Sequence, residues 1–174
     1  GQSALANAEA HKCEGQLQLT SAPLWHRWGN NIRNSRFQSA ERAGLNRTDA
    51  PKLKLKWAFG FPGAARARSQ PTVTKEALFT GSQSGTVYAL DAKTGCVWWT
   101  FSADTEVRNA PTIALDRNGN PDILYFGDFN ATVYAVKAAT GELVWKKSIR
   151  DHPVGIITGA ITHYQGKLYV PMSS

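Results

Sequence analysis

The sequence predicts an all-β fold: part of a β-propeller of four-stranded antiparallel blades, preceded by an irregular N-terminal segment. The first observation is an internal repeat. Leu78–Phe101 (LFTGSQSGTVYALDAKTGCVWWTF) and Leu124–Lys147 (LYFGDFNATVYAVKAATGELVWKK) align without a gap at an offset of 46 residues, with 10 of 24 positions identical. The second is the pattern inside each copy, where short apolar runs alternate with tight-turn residues at the spacing of a β-meander. A repeat in the forties with four strands per unit indicates a propeller blade, and no helical periodicity follows residue 70.

The elements follow in chain order. Residues 1–50 carry no strand pattern and are read as a wrap. Leu53-Lys54-Leu55-Lys56-Trp57-Ala58-Phe59 aligns with the strands that hold Trp99 and Trp145. Its apolar/lysine alternation suits a half-buried strand, so 53–59 is expected to be the outer strand of a preceding blade. The first complete blade spans 70–101: a strand opened by Pro71, a turn at Lys75-Glu76, then runs at Ala77–Ser82, Thr86–Leu90 and Val97–Phe101. The second spans 109–147, with an insertion at Asp116–Asp122 read as a longer exposed hairpin. Its Asp/Asn spacing resembles a calcium loop, but Pro121 stands where glycine is required and Gly127 where a bidentate glutamate belongs. Residues 157–171 supply the first half of a third blade. In Ala-x-x-x-x-Thr-Gly-x-x-x-Trp, glycine allows the turn into the outer strand and the Trp is expected between neighbouring blades.

Composition limits the function. The net charge of +7 lies wholly in residues 1–70, with eleven Lys/Arg against four Asp/Glu, while nine of each follow. No helix-turn-helix, zinc-finger or RNP pattern accompanies the charge, so a solvated basic wrap is the expectation and nucleic-acid binding is not. No apolar run approaches membrane-spanning length. Cys13 and Cys96 have no CxxC, CxxCH or metal-ligand spacing. A Cys13–Cys96 disulfide is possible but is not the favoured expectation, and the cysteines leave the compartment open. Neither a Ser-His-Asp set, a phosphate loop nor a close carboxylate pair is visible. His26 and His163 lack partners at metal spacing, and His152 is expected to be a solvated loop residue.

Ala89-Leu90-Asp91-Ala92-Lys93-Thr94-Gly95 followed by Trp98-Trp99 resembles the tryptophan-docking motif of quinoprotein dehydrogenase propellers. That motif also occurs in cofactor-free assembly lipoproteins. The N-terminal third is more specific. Trp25-His26-Arg27-Trp28-Gly29-Asn30 and Asn34-Ser35-Arg36-Phe37-Gln38 resemble the WxxWG…NxRFQ segment of pyrroloquinoline-quinone (PQQ)-dependent polyvinyl alcohol dehydrogenases. The likeness runs from about residue 20 to the end. It implies the N-terminal part of a larger periplasmic or secreted quinoprotein alcohol dehydrogenase. PQQ and Ca²⁺ would lie in the axial funnel, the substrate would be an alcohol or a polymer of secondary alcohols, and cytochrome c would take the electrons. The general base and Ca²⁺ ligands are expected outside this sequence. No catalytic residue and no metal ligand is therefore assigned within it, and this stretch alone is expected to be inactive and prone to aggregate through open blade faces.

Innermost strands line a propeller's channel, so the residues leading into them are the candidates for cofactor contact. Arg68 and Arg108 each stand three residues before a strand-opening proline. Guanidinium forks suit the carboxylates of PQQ, and a cation beside its quinone oxygens would stabilise developing negative charge. The competing reading makes each a loop arginine paired with a carboxylate such as Glu106. Gln70 and Asn109 are neutral donor candidates, and Thr158 supplies a hydroxyl at the third strand. A cofactor-free scaffold for protein binding is the alternative; it would need the docking motif but not these mouth residues.

Overall fold

The computed structural model describes residues 11–31 and 33–173. Ten strands form two complete four-stranded antiparallel sheets and one two-stranded sheet, each ordered sequentially. The first blade is β1 (Thr72–Val73), β2 (Ala77–Gly81), β3 (Thr86–Asp91) and β4 (Val97–Ser102). The second is β5 (Thr112–Leu115), β6 (Pro121–Gly127), β7 (Thr132–Lys137) and β8 (Leu143–Ser148). A third begins with β9 (Thr162–Tyr164) and β10 (Lys167–Tyr169). The two complete blades repeat down to an irregularity: the register shifts at Ala89/Leu90 and again at Ala135/Val136. Among the described residues no helix is long and apolar enough to cross a membrane.

The expected turn chemistry is present. Asp91 Oδ1 accepts from the N–H groups of Lys93 and Thr94 and from the Thr94 hydroxyl, which makes it a turn residue. In the longer β5–β6 hairpin, Asp116 Oδ1 accepts from the N–H groups of Asn118 and Asn120, so the loop's carboxylate organises its own backbone. The described residues contain no group of three or more His, Cys, Asp or Glu able to hold a metal.

Blades are joined by tryptophans, each seated on the next blade. Trp99 Nε1 donates to Ala138 O at 3.0 Å, and Trp57 Nε1 to Ala92 O at 3.3 Å. A Cβ at Gly141 would come within 2.7 Å of the Trp99 ring, and one at Gly95 within 2.7 Å of Trp57. The docking glycine therefore does more than permit a turn: its missing side chain is the seat of the ring. Trp99 is 9% exposed, whereas Trp145, whose counterpart blade is incomplete here, is 39% exposed. Leu53–Phe59 departs from expectation. Trp57 docks as the alignment requires, but the segment is unpaired, because no described residue offers it a neighbouring strand.

A second correction concerns the cysteines. Cys13 and Cys96 form a disulfide with Cα atoms 5.2 Å apart, within bridging range. The pairing was not legible because 83 residues separate them; it depends on where the N-terminal segment lies. That segment runs beside the outer edge of the first blade, with Cys13 N–H donating to Val97 O and Val97 N–H to His11 O. Leu17 then enters the core formed with Phe79, Val87, Trp99 and Phe126. Thr20 and Ser21 donate to the two oxygens of Glu76 in the β1–β2 turn. These hydroxyls, with that of Thr74, hold the Glu76 carboxyl below its ordinary range against the opposing effect of partial burial.

Candidate functional site: the mouths of three innermost strands

Strands β1, β5 and β9 are the innermost of successive blades, and hydrogen bonds between blades tie them together. Thr72 and Thr112, both buried, occupy the same place in their strands. The Thr72 hydroxyl donates to Pro111 O and the Thr112 hydroxyl to Ile161 O, both at 2.5 Å. Each therefore clips the residue before the equivalent threonine of the next blade. Nearer the mouth a second set of bonds does the same. Ser69 Oγ accepts from Gly81 N–H and donates to Asn109 O at 2.8 Å. Asn109 Nδ2 donates to Gly127 O at 2.6 Å and to Ile157 O at 3.4 Å. Gly81 and Gly127 are repeat equivalents, and an added Cβ would strike Val107 or Ile157 at about 2.5 Å.

This framework brings the five sequence candidates to one end of three adjacent strands, but it gives them different work. Asn109 is fully buried, with both amide atoms bonded to backbone, so it fixes blade spacing and does not face the channel. Arg108 forms the carboxylate pair weighed against it. Its Nε lies 2.7 Å and its Nη2 3.3 Å from the two oxygens of Glu106, and its guanidinium covers the Phe129 ring at 4.3 Å. With 26% of its side chain exposed, the cation is fixed in orientation yet still reachable. Arg68 is exposed, and Gln70 and Thr158 are half-buried. Thr105 Oγ1, on the Arg108 loop, and Gln83 Oε1, in the β2–β3 turn, are buried without a described partner. His152 is exposed, as expected.

Sequence reasoning missed Ser69 and the threonine clips. The recurrence of Pro-Thr at 71–72 and 111–112, with Ile-Thr at 161–162, was the available signal. It also missed what the WxxWG…NxRFQ segment does. Trp25 joins the inner edge of β1: Val73 N–H donates to Trp25 O, and Trp25 N–H to Val73 O. His26 Nε2 accepts from Ile113 N–H of β5 at 3.0 Å. Burial, aided by the neighbouring Arg27 charge, lowers the His26 pKa from 6.5 to about 4, so the ring is the neutral acceptor this bond requires. The loop then closes on itself. Asn30 Nδ2 donates to Phe37 O and to the Gln38 side chain, and Gln38 Nε2 donates to Leu24 O. A Cβ at Gly29 would collide with Asn34.

Sequential four-stranded blades, tryptophans seated on the following blade and innermost strands clipped edge to edge define a stretch of tryptophan-docked β-propeller. The sequence model for "PQQ: Glucose/ethanol/alcohol dehydrogenase, beta-propeller domain" matches residues 25–120, and the chain belongs to that family. It is 44% identical over 160 residues to the polyvinylalcohol dehydrogenase of Sphingopyxis sp. (strain 113P3), covering 91% of this chain and 24% of that protein. It is 40% identical over 168 residues to the polyvinylalcohol dehydrogenase of Pseudomonas sp., covering 94% and 26%. The chain thus spans about a quarter of the length of these relatives. Among solved structures, the quinohemoprotein alcohol dehydrogenase of Comamonas testosteroni superposes with a TM-score of 0.70 at 19% identity, covering 97% of this chain and 25% of that one. A europium-containing methanol dehydrogenase gives 0.68 at 23%, covering 85% and 27%. These two likenesses establish the propeller fold.

Proposed function

We propose that this chain is the N-terminal part of a PQQ-dependent dehydrogenase that oxidises secondary alcohols of polyvinyl alcohol or a similar substrate and passes the electrons to cytochrome c. The observation that carries the reading is the 44% identity to a polyvinylalcohol dehydrogenase over 91% of the chain. The matched stretch includes the mouths of all three innermost strands. The proposed division is a wrap over 1–50 and an incomplete propeller over 51–174.

The donors at the mouths fit a planar tricarboxylate. Arg68 and the oriented Arg108 supply cations, and Gln70 and Thr158 an amide and a hydroxyl. The buried unpartnered oxygens of Thr105 and Gln83 leave polar capacity at the same end. When bound, PQQ supplies the two-electron oxidation of the alcohol carbon. Arg68 and Thr158 would hold its carboxylates, and Arg108, locked by Glu106 and Phe129, would present a cation at a fixed angle. Asn109 and Ser69 would keep the mouths in register. Calcium ligands and the general base are assigned to residues beyond this sequence. The disulfide supports an oxidising compartment, in keeping with a periplasmic or secreted enzyme.

The test is reconstitution of the full-length protein with PQQ and Ca²⁺, followed by oxidation of polyvinyl alcohol and of small secondary alcohols. Reduction of cytochrome c and of an artificial dye would be read in parallel. PQQ-dependent turnover is the expected result; a protein that takes up no PQQ refutes the reading. Dye reduction without cytochrome c reduction would refute the acceptor alone.

A further inference from the structure

Within three consecutive residues, the N-terminal strap touches the innermost strands of three consecutive blades. Trp25 pairs with Val73 of β1, and His26 accepts from Ile113 of β5. Arg27 N–H lies 3.4 Å from Thr72 Oγ1, and its Nη1 donates to Thr162 Oγ1 of β9 at 3.2 Å. Arg27 therefore links the first blade directly to the third. The threonine clips join only adjacent blades, so this bond adds a constraint of a different kind.

The strap is built to hold this position. Its outer end is fixed covalently by Cys13–Cys96, its middle by Leu17 and the Glu76 hydroxyl pair, and its inner end by the ladder with Val73. Arg27 adopts φ 60, a left-handed conformation that non-glycine residues avoid, and Trp25 Nε1 donates to Arg27 O across that turn. Sparsely populated backbone of this kind persists where its surroundings over-determine it. Arg27 is half-buried and forms no ion pair with a described residue.

We propose that Trp25-His26-Arg27 form a clamp across the first three blades that sets the spacing of their mouths, with His26 and Arg27 as positioning residues for the anionic cofactor. The inference rests on the functional reading above. Its chain of action is short. Thr72 lies two residues beyond Gln70, Ile113 five beyond Arg108, and Thr162 four beyond Thr158. A shift of any innermost strand at the clamp therefore moves the donor at its mouth.

The experiment measures PQQ binding to the full-length apoprotein by calorimetry, without turnover, for wild type, His26→Leu, His26→Gln, Arg27→Ala and Arg27→Lys. Melting curves would fix a temperature at which each is folded. Leucine cannot accept from Ile113 N–H, whereas the glutamine carbonyl can. The expected result is about tenfold weaker binding for His26→Leu and Arg27→Ala, the scale of one or two lost hydrogen bonds, with recovery in His26→Gln and Arg27→Lys. If Arg27→Ala does not fold, the two His26 variants decide alone. Unchanged PQQ affinity in folded His26→Leu, even with a lowered Tm, overturns the positioning role and leaves the functional reading standing. A wild-type protein that binds no PQQ refutes that reading and this inference with it.

Discussion

Substituting Gly141 by alanine tests whether the glycine is a seat for Trp99 or only a turn residue. Two costs are expected and can be separated. Gly141 has φ 73, and any L-residue there is strained by about 1–2 kcal/mol. The new Cβ would also lie 2.7 Å from Trp99 Cε3. The ring cannot yield cheaply, since it is 9% exposed and held by its 3.0 Å bond to Ala138 O. Forced overpacking of this type adds about 1–3 kcal/mol, for a total of about 2–5 kcal/mol. The control is Gly119→Ala in the β5–β6 hairpin, where φ is 85 and nothing lies within 4 Å of the added Cβ, so only the first cost applies. Urea unfolding of full-length variants, followed by far-UV circular dichroism, gives both values. In Trp99→Ala, itself expected to lose about 3–5 kcal/mol, the added penalty of Gly141→Ala should shrink to that of Gly119→Ala. Equal costs for Gly141→Ala and Gly119→Ala in the wild-type background would refute the seat.

Replacing both cysteines by serine opens a loop of 83-residue separation, and chain-entropy reasoning predicts a loss of about 4–5 kcal/mol; denaturation of reduced and oxidised wild type should reproduce it. His26 titrates at 6.5 unfolded but about 4 folded, so below pH 6.5 the unfolded chain takes up a proton that the native state refuses. Stability should therefore fall as pH drops from about 6.5 to about 4, by about 2 kcal/mol once partial exposure of the ring is discounted, and His26→Gln should flatten that limb of the stability–pH curve. Thr112→Val removes one interblade clip and strands Ile161 O; a loss of about 1–3 kcal/mol is expected by urea unfolding, whereas Thr100→Val on the outer strand should change little.

The fold was legible because a repeat repeats its physics. Two copies of one strand–turn pattern place Gly95 and Gly141, Trp57 and Trp99, Thr72 and Thr112 in equivalent surroundings. The alignment therefore located the docking tryptophans and glycines, while Thr72 and Thr112 lie outside the aligned stretch. The strand-opening prolines correctly marked where β1 and β5 begin. The site was legible only in outline. Chain position put Arg68, Gln70, Arg108, Asn109 and Thr158 near three mouths, but it could not show that Asn109 turns inward to backbone or that Arg108 lies on Phe129. Those outcomes depend on neighbours 18 to 48 residues away or on ring placement. The strap and its disulfide were least visible, because they belong to no repeat and their partners are set by the route of an irregular segment.

The seating of each tryptophan on the following blade has a consequence for biosynthesis. Trp57 finds its seat only after Gly95 has been made, and Trp99 only after Gly141. An emerging blade therefore carries an exposed indole on its last-made strand until about forty further residues have left the ribosome, several seconds at ordinary elongation rates. Maturation is vectorial, each blade being sealed by its successor. The disulfide obeys the same order: Cys13 has no partner until Cys96, the first residue after the Gly95 seat, has been made, so the strap is anchored covalently no earlier than the first blade's outer strand.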